Sequence, residues 1–166
     1  MNRSSTPTEH GGVFNLNKRK TARPIVVKNA LHVVLRTTFT LLTNKVNVLI
    51  IKNVLSEATK RYNVKIYNCA NVGNHLHLVI SGKSKKAIQD FLRYITSRTS
   101  QLITKACKGK KLLHKFWQYI CYTRVVSWGR DYKGVYNYID KNIMSTCDGD
   151  LGLFEARKQL YFFNSA

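Results

Sequence analysis

The feature that most narrows the fold is a change of hydrophobic period along the chain. Val64, Ile66, Asn68 and Ala70 alternate with Lys65, Tyr67 and Cys69. After a short turn at Asn71 to Asn74, which contains Gly73, Leu76, Leu78 and Ile80 alternate with His75 and His77. A period of two places successive side chains on opposite faces of a strand, so this stretch is an antiparallel hairpin that Gly82 ends. On either side the period lengthens to that of a helix. Thr43 is the expected N-cap of a helix to about Arg61 with Val46, Leu49, Ile50, Val54, Leu55 and Ala58 on its apolar stripe. Ser84 is the expected cap of a second, to about Ala106, with Ile88, Phe91, Leu92, Ile95, Leu102 and Ile103. A β-rich run from Ala30 to Thr37 precedes the first helix, and a β-prone segment from Phe116 to Val126 follows the second. A last helix covers about Asp131 to Met144. The order β-α-β-β-α-β predicts an α+β protein with a ferredoxin-like or RRM-like antiparallel sheet, helices on one face, and an added C-terminal helix that carries tyrosines.

A chain of 166 residues suits one hydrophobic core. Residues 1–24 lack any period and read as a flexible basic arm, residues 25–145 as the folded domain, and residues 146–166 as a C-terminal extension. The charge is lopsided: 28 Lys and Arg against 8 Asp and Glu give a net +20. A surface field of that sign favours a polyanion. Basic residues interleave with Tyr, Trp, Asn and Thr instead of gathering on one amphipathic face, which points to nucleic acid and away from a membrane surface. No apolar run approaches the ~18 residues of a membrane span and the N-terminus opens polar, so cytoplasm is the expected compartment. Cys69, Cys107, Cys121 and Cys147 form no C-x-x-C pair and are expected to be reduced, mostly buried thiols.

Two sets of residues can carry chemistry. His75 and His77 share one strand face while Leu76, Leu78 and Ile80 share the other, which stands two imidazoles side by side above an apolar layer. Neutral imidazole nitrogen is a common ligand for divalent ions, although H-x-H alone also fits ordinary polar residues on a half-exposed strand. On the last helix Tyr132, Val135, Tyr136, Ile139 and Ile143 make the core stripe. Tyr138 falls about 110° from its centre, with Asn142 one turn beyond on the same flank. A phenol there can reach a neighbouring sheet or simply pack on the surface. Lys83, Lys85 and Lys86, just after the histidine strand, are expected to steer phosphate, and Arg124 and Arg130 are further expected DNA-binding residues. His32, in an apolar strand, reads as a satisfied core histidine, and His114 as a minor candidate.

The ordered combination of His75-Leu76-His77, Phe116-Trp117-Gln118, Arg124-Val125-Val126 and Tyr138-Ile139-Asp140-Lys141-Asn142 resembles the single-tyrosine HUH transposases, especially the REP-associated tyrosine transposases. Leu31 to Arg36 resembles their first strand, and the likeness runs over about residues 25 to 145. Ile143 follows Asn142 where that branch carries proline. The resemblance implies a metal-dependent DNA-cleaving and DNA-joining domain: His75 and His77 hold Mg²⁺ or Mn²⁺, with Asn142 as third ligand or close neighbour. Tyr138 attacks the scissile phosphate to give a 5′-phosphotyrosine and a free 3′-hydroxyl. It also implies a single-stranded DNA substrate next to a hairpin, which suits aromatic residues such as Tyr94, Tyr119 and Trp128 on a basic surface. Monomer and homodimer are both open. The rival readings are a non-catalytic or decayed nucleic-acid-binding module of the same fold and a basic ribonucleoprotein component.

Overall fold

The computed structural model describes residues 8–16, 21–39, 42–106 and 114–147. In chain order the elements are β1 (Glu9–His10), a 3-10 turn (Gly12–Asn15), β2 (Ala30–Arg36), α1 (Lys45–Tyr62), β3 (Val64–Asn71), β4 (His75–Gly82), α2 (Lys85–Thr104), β5 (Tyr122–Val126) and α3 (Arg130–Ser145). The five strands form one sheet, in the order β1-β5-β2-β4-β3, with every neighbouring pair antiparallel. The last four strands in the chain are the ferredoxin-like set expected from the period changes. The expected loop at Lys108 to Lys111, Cys107 and residues 148–166 of the extension lie outside the described residues. No described helix is long and apolar enough to cross a membrane.

Each face of the sheet carries its own core. Leu31, Val33 and Leu35 of β2 and Leu76, Leu78 and Ile80 of β4 pack against Ile51, Val54 and Leu55 of α1 and Ile88, Phe91, Leu92 and Ile95 of α2. Each such aliphatic or aromatic side chain, taken wholly out of water, contributes about 1.5–3 kcal/mol. On the other face Ala30, Ala70, Val79 and Val126 meet Val135, Ile139 and Ile143 of α3, joined by Cys147. The two long helices thus share one face and α3 covers part of the opposite one, the face on which the histidines stand.

Several local expectations change in the fold. Asn44, not Thr43, caps α1: its side-chain oxygen accepts from the Val46 N–H at 2.9 Å. The buried row of α1 is Ile51, Val54, Leu55 and Ala58, whereas Val46 and Leu49 are exposed. At about 100° per residue, Val46 and Leu49 lie roughly 140° and 160° round the helix from Ile51, so they cannot face the same core. Ser84 caps α2 as expected, accepting from the Ala87 N–H at 3.1 Å, but Thr99 takes a buried place and Leu102 sits on the rim. The alternation of β3 breaks at a bulge between Ile66 and Asn68. One extra residue shifts the pattern, so that Cys69 joins the α1/α2 core with Val64, while Tyr67 and Ala70 join the α3 core.

Only Tyr122–Val126 of the β-prone segment is strand. Phe116 and Trp117 instead lock onto the end of β2 and α2: the Thr37 hydroxyl donates to Phe116 O at 2.7 Å and the Trp117 indole N–H to Thr96 O at 2.8 Å. Within the stretch read as a flexible arm, residues 8–10 pair with β5, and Gly12 and Arg23 bond β5 and the two residues before it. Glu9 pairs with Arg124 and His10 with Thr123, Gly12 N–H donates to Ile120 O at 2.8 Å, and the Arg23 guanidinium donates to Cys121 O and Thr123 Oγ1 at 2.8 and 2.6 Å. Polar backbone pairing holds this strap, which is why no hydrophobic period announces it. Cys69, Cys121 and Cys147 are free and buried; burial pushes the Cys121 thiol up to about 12 despite nearby Arg23.

Candidate active site

Strand register builds the site. His77 lies opposite Val34, His75 opposite Arg36, His32 opposite Arg124, and Val34 opposite Tyr122. Because side chains alternate, these residues of β2, β4 and β5 share the sheet face that α1 and α2 leave open. They floor a cavity of about 860 Å³. One wall is α3, with Arg130, Asp131, Gly134, Tyr138 and Asn142; the other is the N-terminal strap, with Glu9, Gly12 and Val13, and the Tyr119–Ile120 segment.

The imidazoles stand in a row. The rings of His75 and His77 are 6.0 Å apart and tilted by 22°, and those of His77 and His32 are 5.6 Å apart and tilted by only 12°. Nδ1 of His75 is 2.5 Å from the side-chain oxygen of Asn74, and Nδ1 of His77 is 3.3 Å from Nε2 of His32. Burial lowers the pKa of His77 to about 3, with His32 and His75 adding to the shift. Burial, then Arg124, lowers His32 to about 4. Burial, then Arg36, lowers His75. The row is therefore uncharged at neutral pH, the form in which imidazole nitrogen binds a metal.

Tyr138 meets this row from above. Its ring stands edge-on to His77 at 6.0 Å and to His32 at 6.3 Å, while the residue keeps 52% of its surface exposed. Val135, Ile139 and Ile143 fix the roll of α3 by facing the sheet, which leaves Tyr138 and Asn142 on the flank over the cavity. The Asn142 amide N–H donates to Tyr138 O at 2.8 Å. Gly129, at φ 96°, lets the chain turn from β5 into α3. The turn is pinned by Asp131, which pairs with Arg124 at 2.8 Å and accepts from the Ser127 N–H at 3.0 Å.

The structure brings together Tyr138, His75, His77, Asn142, Arg124 and Arg130 of the residues singled out from sequence. Lys83, Lys85 and Lys86 are exposed but lie past the far end of β4, roughly 20 Å from His77 at the usual rise per strand residue, and Lys86 pairs with Asp90 at 2.6 Å. Tyr119 lines the cavity. Trp128 is half exposed at the start of α3, its indole N–H donating to Lys28 O at 2.7 Å, and Tyr94 packs against Tyr62. His114 is exposed and is not among the cavity-lining residues. His32 is the buried, hydrogen-bonded histidine expected from the sequence, and it lines the cavity as well; the signal for that was that His32 and Arg36 share one face of an otherwise apolar strand. Glu9 and Tyr122 were missed as well. Burial, then the charge and hydrogen bond of Glu9, push the Tyr122 phenol up to about 12.

Two neutral imidazoles side by side fit a divalent ion. Both Nδ1 atoms of His75 and His77 have partners, so it is Nε2 of each ring that would meet a metal. Among the described residues no three His, Cys, Asp or Glu side chains are grouped to hold one, so the remaining positions would fall to amide, water or phosphate oxygen.

The family model of IS200-like transposases matches residues 25–142. The chain belongs to this family. Among solved structures it is similar to a REP-associated tyrosine transposase bound to a REP hairpin, with a TM-score of 0.59 and 11% identity over 80% of this chain and 74% of that one. It is also similar to a transposase candidate from Deinococcus radiodurans R1, with a TM-score of 0.47 and 16% identity over 75% of this chain and 98% of that one. No curated protein matches the chain. Family and fold together make this chain a transposase-type protein with the α+β sheet read from its sequence.

Proposed function

We propose that this transposase cleaves and rejoins single-stranded DNA next to a hairpin through a covalent 5′-phosphotyrosine on Tyr138. The observation that carries this reading is the placement of Tyr138, edge-on over His77 and His32 at 6.0 and 6.3 Å, on the rim of the cavity that also receives Asn142. The REP hairpin held by the structural neighbour supports a hairpin substrate, and the net charge of +20 supports a polyanion.

His75 and His77 would hold Mg²⁺ or Mn²⁺, with Asn142 beside them. When bound, the ion supplies Lewis-acid polarisation of the scissile phosphate. The Tyr138 oxygen attacks phosphorus and loses its proton to solvent. The bond to the 3′-oxygen breaks, and that oxygen takes up a proton to leave as a 3′-hydroxyl. The phosphate is now esterified to Tyr138, so bond energy is conserved and a second 3′-hydroxyl can reverse the step with a different strand. Arg130, exposed on the cavity wall, and Arg124, held by Asp131, place cationic donors for the phosphodiester backbone. Lys83, Lys85 and Lys86 contact DNA only where it extends along the sheet past the end of β4.

The test is a denaturing gel and peptide mapping after incubation with hairpin-flanked single-stranded DNA and Mn²⁺. An adduct on the peptide containing Tyr138, absent from Tyr138→Phe while that variant binds DNA within about twofold of wild type, is the expected result. An adduct on Tyr132 or Tyr136 would refute the assignment of the nucleophile. Binding without cleavage would return the chain to a non-catalytic nucleic-acid-binding module.

A further inference from the structure

We infer that His32 is a positioning residue for His77, an imidazole that fixes the tautomer and ring plane of a second imidazole. His32 lies on β2 opposite Val79, which makes it the diagonal neighbour of His77 on β4. The two side chains are 5% exposed each, their rings are nearly parallel at 12°, and Nε2 of His32 is 3.3 Å from Nδ1 of His77. Two nitrogens at that distance share one proton, so one ring donates and the other accepts.

The direction of that bond decides what His77 can do. If His32 donates, Nδ1 of His77 is the acceptor and its proton sits on Nε2, which then has no lone pair to offer the cavity. If His32 accepts, the proton of His77 is on Nδ1 and Nε2 is a free ligand nitrogen. His75 shows the same logic beside it, because its Nδ1 faces the oxygen of Asn74, which can only accept. The accepting role does not strand the other nitrogen of His32: the sole buried side-chain N or O atom without a partner among the described residues is Nδ1 of His10. Nor is His32 a further ligand, since its Nε2 is occupied by His77 and no three-residue cluster for a metal is found among the described residues.

Histidine ligands commonly donate their second N–H to a carboxylate or a backbone carbonyl. Here the acceptor is a neutral ring between flanking guanidiniums: Arg124 lies opposite His32, and Arg36 lies opposite His75. A carboxylate would add negative charge to the ligand set, whereas an imidazole fixes the geometry and leaves the local positive field intact for a phosphate. The Tyr138 ring, edge-on to both His32 and His77, closes the same cluster from the other side.

This inference rests on the proposed role of His77 as a ligand, and the experiment separates the two. Long-range ¹⁵N–¹H correlation spectra of the metal-free full chain, labelled at histidine and recorded at pH 7.5, report the tautomer of His77 directly. Wild type is expected to show His77 protonated on Nδ1 only. His32→Ala should mix the tautomers and weaken Mn²⁺ binding, read by electron paramagnetic resonance, about 10- to 100-fold. His32→Gln, whose side-chain oxygen can accept, should recover most of that loss. DNA affinity without metal should stay within about twofold in both variants. A wild-type His77 protonated on Nε2 would overturn the inference even if neither variant folds, and so would Mn²⁺ affinity unchanged in His32→Ala. Wild type that carries the Nδ1 proton yet binds no Mn²⁺ would instead refute the ligand role of His77 and leave the pairing with His32 standing.

Discussion

Acid should destabilise this protein at a pH where its carboxylates are still mostly ionised. In the unfolded chain a histidine titrates near 6.5, whereas in the folded state His32 is held at about 4 and His77 at about 3. Both are neutral in the fold at pH 5, so the unfolded state binds more protons and stability falls as pH drops below 6.5. The contribution is intact above that value and is lost progressively down to about pH 4 for His32 and pH 3 for His77. At pH 5 each group forfeits about 2 kcal/mol, from 1.5 pH units at about 1.4 kcal/mol each, so the pair removes about 4 kcal/mol. His75, whose pKa is also lowered, acts in the same direction. Urea melts at pH 7.5 and pH 5.0, with chelator present to remove metal linkage, measure the loss. With a slope of about 1–3 kcal/mol per molar urea, the midpoint should drop by more than about 1 M. A double variant, His32→Gln with His77→Gln, should lose most of this pH dependence. Equal midpoints at the two pH values in wild type, or an equal drop in the double variant, would refute the account of a neutral buried pair.

Two further outcomes follow from packing. Ile139→Ala, which empties a fully buried position between α3 and the sheet, should cost about 2–5 kcal/mol and raise hydrogen exchange across α3 more than across α1 or α2; uniform exchange changes would contradict two separate cores. Gly11→Ala places a Cβ 2.1 Å from the carbonyl oxygen of Cys121 at a φ of 84°. That variant should release the strap, seen as lost amide protection at Gly12 and Val125, whose N–H groups bond Ile120 O and Thr8 O; retained protection would show that the backbone absorbs the clash.

What the sequence revealed was whatever local periodicity encodes. His75 and His77 on one face, Leu76, Leu78 and Ile80 on the other, and Tyr138 off the stripe of Val135, Ile139 and Ile143 all follow from counting residues along one element. The bulge at Tyr67 escaped because an inserted residue is invisible until a partner strand sets the register. That His32, a buried and hydrogen-bonded histidine as expected, also lines the cavity escaped for a related reason: its neighbours are His77 and Arg124, 45 and 92 positions away, and apart from Arg36 its own strand is apolar. The strap was missed because β1 is held by backbone hydrogen bonds and by Arg23, none of which leaves a hydrophobic signature. Lys83, Lys85 and Lys86 were placed near the histidines by adjacency in sequence, but a strand is long, and the end of β4 that carries them is the wrong one.

The separate core of α3 has a mechanical consequence. Under the proposed chemistry a DNA strand joined to Tyr138 would pull on whatever anchors that helix, and the anchor is a patch in which small side chains, Ala30, Ala70, Val79 and Val126, face three aliphatic ones. The larger apolar mass lies on the opposite side of the sheet, where Phe91, Leu35, Ile51 and their neighbours take no part in holding α3. Gly129 sits at the junction with β5, with open space where its Cβ would be. A load on α3 would thus be borne by this small patch and by the Asp131 contacts that pin the turn, not by the larger core beneath the histidine row.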